Sequence, residues 1–237
     1  MSYRKTIGIT GASGALGKAL TRKFKSNGYE IIGLTHNKNN NKISDEGPNK
    51  WIYWECGKEF LLEKALLEID ILILNHGIYG SINQDNLENT LTINAISKLK
   101  ILRLFEKIAF KNANESSQRE IWINTSEAEI FPALNPSYEI SKSLIGQSIS
   151  FRKNFLTRDE SKKLLIKKII LGPFKSELNP IGILSPTFVA NLIYYISKLN
   201  TFLIIVSPNP LTYIFFPIQE FYFSIYHSFM KYLNKSD

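Results

Sequence analysis

Thr10-Gly11-Ala12-Ser13-Gly14-Ala15-Leu16-Gly17 decides the fold of this 237-residue chain. The stretch follows an apolar run, Thr6 to Thr10, that reads as a strand. It leads into Leu16 to Asn27, which reads as a helix stopped at Gly28. Glycines serve there for a tight turn, for close approach of backbone to a pyrophosphate, and for close helix–strand packing. The free N–H groups and dipole at the start of such a helix favour phosphate charge. Placement between strand and helix lifts the motif above an ordinary Gly-rich turn, although it departs from the common G-x-G-x-x-G form.

Working outward, apolar runs alternate with segments of helical period, the pattern of a parallel sheet wrapped by helices. Further strands are expected at Ile31–Thr35, Trp51–Glu55, Ile71–Leu74, Ile121–Asn124, Leu164–Leu171 and Phe202–Val206. Helices are expected at Phe60–Glu68, Asn86–Phe110, Pro136–Phe155 and Thr187–Lys198. The fold class is therefore α/β: a Rossmann-type three-layer sandwich with a parallel seven-stranded sheet and helices on both faces. The division is residues 1–206 as the dinucleotide-binding domain with its catalytic site, and 207–237 as an aromatic-rich tail.

Apolar residues make up 44% and charged residues 21%, a globular composition. Cys56 is the single cysteine, which excludes a disulfide framework and a cysteine-based metal cluster; no metal is expected. The start runs into the first strand without secretory or transit character, so a cytoplasmic location is expected. The net charge of +8 fits either an anionic partner or a residue-usage bias, since Lys, Asn and Ile recur even in loops such as 37–42. No helix-turn-helix, zinc finger or aromatic RNA-binding motif speaks for nucleic acid, and none is expected as a partner.

Tyr138-Glu139-Ile140-Ser141-Lys142 sets Tyr138 and Lys142 one turn apart on one helix face. Proton exchange at a carbonyl or hydroxyl oxygen needs such a donor and acceptor, and a neighbouring ammonium favours the phenolate. The end of the second strand, Leu34-Thr35-His36-Asn37-Lys38, carries no carboxylate to hold a ribose 2′-hydroxyl, so NADP(H) is favoured over NAD(H).

On these residues the chain resembles the short-chain dehydrogenase/reductase superfamily, whose loop is written T-G-x-x-x-G-x-G, over roughly residues 5 to 206. The resemblance implies cofactor contacts from Gly11, Ser13, Gly14, Ala15, Leu16 and Gly17, from Thr35, His36 and Asn37, and from Tyr138 and Lys142. Asp70-Ile71-Leu72-Ile73-Leu74-Asn75-His76-Gly77 is similar to the fourth-strand segment that usually ends Asn-Asn-Ala-Gly. It implies a loop beside the cofactor at Asn75 and Gly77, with His76 as a departure, while Glu55 stands where an adenine-side Asp is common. Gly172-Pro173-Phe174-Lys175-Ser176 is similar to P-G-x-x-x-T, implying nicotinamide contacts from Gly172 and Ser176.

The same resemblance implies a catalytic set of Asn94, Ser126, Tyr138 and Lys142. Ser126 lies twelve residues before Tyr138, and Thr125, one residue earlier, is its rival for the substrate oxygen. Segments 124–129, 171–176 and 209–213 also resemble short-chain dehydrogenases named alongside sterol desaturases, which implies a lipid-like or sterol-like substrate. The expected reaction is hydride exchange between NADP(H) and a hydrophobic carbonyl or alcohol. A non-catalytic dinucleotide-binding protein is the rival. A sugar-nucleotide epimerase is disfavoured because only about sixty residues follow the sixth strand. Pairing of copies through the two long helices is expected.

The tail, Leu211 to Leu233, is crowded with aromatics but interrupted by Pro217, Gln219, Glu220 and His227, which makes it a poor spanning helix. A helix from Pro217 aligns Ile218, Phe221, Tyr222, Ile225 and Phe229 on one face. Two readings stand: membrane-surface contact, aided by Lys231 and Lys235, or packing on protein.

Overall fold

The computed structural model describes residues 4–36, 44–80, 87–111 and 118–233. Seven strands form one sheet: β1 (Thr6–Thr10), β2 (Glu30–Thr35), β3 (Lys50–Tyr53), β4 (Ile71–Leu74), β5 (Arg119–Asn124), β6 (Leu164–Leu171) and β7 (Leu203–Val206). They lie in the order β3-β2-β1-β4-β5-β6-β7, and every pairing is parallel. The strand order reverses between β1 and β4, which opens a crevice at their carboxyl ends.

Period-two alternation divides the core into two layers. Ile71 and Ile73 of β4 join Ile7, Ile9 and Trp122 under helices α1 (Ala15–Lys25) and α7 (Pro186–Ser197). Leu72 and Leu74 of the same strand join Leu34, Ile121 and Ile123 on the opposite face. That face is covered by α2 (Glu63–Leu67), α4 (Ser97–Lys111) and α5 (Pro136–Phe155). A strand buried on both faces reads as an unbroken apolar run, and all four residues of β4 are buried.

The expected helix at 60–68 divides into a 3-10 turn, Glu59–Leu62, followed by α2. The expected long helix from Asn86 also divides, and Asn86 itself lies outside the described residues. It comprises α3 (Leu87–Leu91), a π-helical segment Thr92–Ile96, and α4. A short α6, Arg158–Lys163, was not expected, although Thr157 and Glu160 close it with reciprocal capping-box bonds.

The last helix, α8, runs Thr212–Leu233 and encloses Pro217 rather than starting there. It lies against α5 and β7, and Phe216 packs with Ile170 and Ile205. The face aligned on Ile218, Phe221, Tyr222, Ile225 and Phe229 points outward, each residue more than half exposed. The buried residues are Thr212, Phe216 and His227. Among the described residues, no helix is long and apolar enough to cross a membrane. Lys235 lies outside them.

Candidate active site

Gly11 turns the chain out of β1 with φ +63°, and a Cβ there would sit 3.0 Å from the His76 Cα. Gly17 is required by contact: a Cβ would lie 2.2 Å from the Gly11 carbonyl oxygen. Gly14 differs, since a Cβ would meet only that oxygen, at 3.4 Å, with open space beyond. Two residues rather than three separate Gly11 from Gly14, so the loop is G-x-x-G-x-x-G and departs from the T-G-x-x-x-G-x-G form. Gly14 caps α1 without a side-chain bond, leaving the first N–H groups of α1 to face a ligand. An uncapped helix start behind an open glycine fits a dinucleotide pyrophosphate.

The crevice is knitted by polar groups at the strand ends. Thr10 Oγ1 accepts the backbone N–H groups of Asn75 (2.9 Å) and His76 (3.2 Å), and contacts His76 Nδ1 at 2.8 Å. Asn75 donates to the Gly11 carbonyl at 3.3 Å and accepts from Asn124 Nδ2 at 2.9 Å, so it spans β1 and β5. Burial, followed by the charge of Lys98, holds the His76 imidazole well below 6.5. Lys98 is itself fully buried, donates to the Asn124 carbonyl at 2.8 Å, and is pushed well below the usual lysine range by that burial.

Asn94 sits in the π-helical segment with no solvent exposure. Its Oδ1 accepts the Ile78 N–H at 2.8 Å, while Nδ2 donates to the Ile78 carbonyl (2.9 Å) and to Ser141 Oγ (2.9 Å). Ser141 in turn donates to the Tyr138 carbonyl at 2.7 Å. The π-bulge thus ties Asn94 to the helix turn that carries Tyr138 and Lys142, and such bulges are frequent at functional sites. Gly77 closes on this point, where a Cβ would stand 3.0 Å from Asn94 Oδ1 and 3.9 Å from Lys142 Nζ.

Tyr138 and Lys142 lie on the first turns of α5, whose start is fixed by Asn135 accepting the Tyr138 N–H at 3.1 Å and by Pro136. Lys142 is buried, with Nζ 5.2 Å from the Tyr138 ring centre. The Tyr79 ring lies 5.0 Å from that of Tyr138, and its hydroxyl donates to the Ala133 carbonyl. Ser126 begins a 3-10 turn, accepting the Ala128 N–H at 3.2 Å, which leaves its own proton to donate. Thr125 instead donates to the Ile169 carbonyl at 3.2 Å, within the sheet.

The structure therefore brings Gly11, Gly14, Gly17, Asn75, Gly77, Asn94, Tyr138 and Lys142 to one crevice. Ser13 and Thr35 meet through their hydroxyls at 3.3 Å, with Thr35 buried and His36 exposed over Trp54. Asn37 lies outside the described residues. Glu55 is engaged by the Tyr53 hydroxyl and by Lys58. Gly172 packs against Ser207 and Pro208, and Ser176 belongs to a small turn with Asn179. Thr10, Tyr79, Lys98 and Ser141 were missed by sequence reasoning. Ser141 was the readable one, lying between Tyr138 and Lys142.

This sheet order, with a glycine turn at β1 and a Tyr–Lys pair at the switch point, defines a protein of the short-chain dehydrogenase/reductase superfamily. More particularly, the model of the NAD dependent epimerase/dehydratase family matches residues 7–144, and the chain belongs to that family. It is 36% identical over 229 residues to the monoglucosyldiacylglycerol epimerase of Synechocystis sp., a match covering 94% of this chain. The chain spans about half (54%) of that relative's length. Among solved structures, a short-chain dehydrogenase from Burkholderia cenocepacia in complex with NADP superposes with a TM-score of 0.71 at 15% identity, covering 86% of this chain and 88% of the other. The 3-ketoacyl-(acyl-carrier-protein) reductase of Brucella melitensis complexed with NADH gives 0.69 at 17%, covering 86% and 96%. At such identities the likeness concerns the fold alone.

Proposed function

We propose that the chain is a nicotinamide-dependent epimerase that inverts one hydroxyl-bearing carbon of a sugar carried on a lipid. The observation that carries this reading is the relationship along 94% of the chain to a glycolipid epimerase. It displaces the expectation of a simple carbonyl reductase, although both reactions begin with the same chemistry. The short tail after β6, which spoke against epimerisation, does not separate the two readings, since it is part of the matched length.

Bound at the Gly11–Gly17 turn, the dinucleotide supplies a hydride acceptor and donor. Tyr138 removes the proton from the substrate hydroxyl and later returns it. Lys142, buried beside the Tyr138 ring, stabilises negative charge on the phenol oxygen. Ser126 donates to the substrate oxygen, a role supported over Thr125 by the bond of Thr125 into β6. Asn94 fixes the Tyr138–Lys142 turn through Ser141. The transient ketone must present its opposite face before reduction, so the sugar turns within the crevice. NADP(H) remains the favoured form, supported by a β2 end without a carboxylate and by the exposed His36.

The test is incubation of the protein with monoglucosyldiacylglycerol in mixed micelles and a sub-stoichiometric amount of NADP or NAD. The expected product is an epimeric hexose without net change in reduced nicotinamide, and Tyr138→Phe lowers the rate by about 10²–10⁴. Stoichiometric cofactor turnover identifies a carbonyl or alcohol oxidoreductase instead. Tight dinucleotide binding without turnover of any glycolipid or carbonyl identifies a binding protein.

A further inference from the structure

Helix α8 is held to the domain by Phe216 and by polar groups, and presents a second apolar side outward. At its start, Glu127 Oε2 accepts the hydroxyls of Ser207 (2.5 Å) and Thr212 (3.2 Å). At its middle, Glu220 Oε1 accepts from Ser150 (2.6 Å) and Lys168 (2.9 Å). Both clasps end on the segment that begins at Ser126, because Lys168 also lies 2.8 Å from Glu129. Between this segment and α8 runs a groove of about 460 Å³, lined by Glu129, Ile130, Phe215, Ile218, Gln219 and Tyr222 and open along one side.

We propose that this groove binds the aliphatic chain of the substrate's lipid, an inference that rests on the glycolipid reading above. Three observations support that occupant. The groove lies close to the site: Ile130, on its wall, follows the 3-10 turn that Ser126 opens, and the four steps between them rise ~8 Å in such a turn. Four of its six wall residues are aromatic or aliphatic; of the two polar ones, Glu129 has both oxygens out of water beside Lys168, and the Gln219 amide oxygen is likewise out of water. The groove is also held in shape by the two clasps, so an aliphatic chain enters a preformed slot, which lowers the cost of binding. Of the four residues that α8 contributes to the wall, Ile218 and Tyr222 are more than half exposed.

The experiment is calorimetric titration with octyl, decyl and dodecyl glucoside, each kept below its micellising concentration. The proteins compared are the wild type, Ile218→Asp in the groove, and Phe221→Asp on the adjacent exposed face. Each methylene buried adds up to roughly fourfold in affinity, so wild type and Phe221→Asp should tighten several-fold with each step of the series. Ile218→Asp, shown folded by its melting curve, should lose that dependence. Equal slopes in wild type and Ile218→Asp, or no slope in the wild type, overturn the assignment. So does a wild-type dimer that Ile218→Asp converts to a monomer with the slope intact, since the groove is then an interface between copies. Chain-length dependence that Ile218→Asp abolishes, in a protein that epimerises no glycolipid, leaves the groove standing and removes only the epimerase reading.

Discussion

The Lys168 ammonium, without solvent exposure, lies 2.8 Å from a carboxylate oxygen of the equally buried Glu129. The pair joins β6 to the turn that carries Ser126, and Glu220 of α8 completes it. Burial pushes the Glu129 carboxyl up, and the charge of Lys168 opposes that push. A buried pair contributes little compared with an apolar replacement, but removing one partner strands the other. Lys168→Met should therefore cost about 3–5 kcal/mol in urea unfolding. Glu220→Gln, which keeps a hydrogen-bonding oxygen, should cost about 1–2 kcal/mol. Equal, small losses in both variants would mean that the cluster is hydrated rather than closed.

The three loop glycines should separate by mechanism. Gly17→Ala drives a methyl into the Gly11 carbonyl and should destabilise the fold by about 1–3 kcal/mol or more. Gly14→Ala meets no such obstacle, and φ −76° suits alanine, so its melting temperature should match the wild type. The added methyl then occupies the space in front of α1, and dinucleotide affinity should fall roughly tenfold or more by fluorescence titration. Unchanged affinity in Gly14→Ala would place the phosphates elsewhere.

Ser126 and Thr125 make opposite predictions from their hydrogen bonds. Ser126→Ala should lower kcat by about 10²-fold, as loss of a donor to a reacting oxygen does, with little effect on stability. Thr125→Val loses the bond to the Ile169 carbonyl and should cost about 1 kcal/mol while leaving kcat nearly unchanged. Steady-state kinetics beside urea midpoints decide between them, and a reversed pattern makes Thr125 the reacting hydroxyl.

Much of the scaffold was legible because its signals are local. The run Ile71–Leu74 announces a strand buried on both faces, and Pro136–Phe155 is delimited by its own proline and helical period, matching the structure residue for residue. The break in the helix after Leu91 was not legible, because it answers to Ile78 on a different element, sixteen residues away from Asn94. The facing of α8 was open for a similar reason. Amphipathic reasoning left its aromatic side to a membrane surface or to protein, whereas Lys168 and Glu129, on β6 and the Ser126 turn, require polar partners, and Glu220 supplies one. Two lysines, Lys167 and Lys168, inside the otherwise apolar β6 were the available warning. The candidate site residues were read from a resemblance, whereas the contacts of Thr10 and Ser141 exist only in the assembled crevice.

His76 stands where the superfamily usually has alanine, and its environment should make the fold acid-sensitive. Burial, then the charges of Lys98, His36 and Lys142, hold its folded-state pKa well below 6.5. A hydrogen bond to the Ile93 backbone opposes this shift without reversing it. The unfolded chain binds a proton as pH falls through about 6.5, and the folded chain refuses it. Stability is therefore present above pH 6.5 and declines below it, by up to about 1.4 kcal/mol per pH unit from this group. Replacing His76 with Asn keeps an N–H for Thr10 Oγ1, whose own proton goes to the Ile73 carbonyl, and removes the titration. His76→Asn should thus resemble the wild type at pH 8 and lose less stability on acidification to pH 5, as read from urea midpoints along a pH series. Parallel curves for the two proteins would assign the acid limb to the carboxylates and leave His76 as a packing residue.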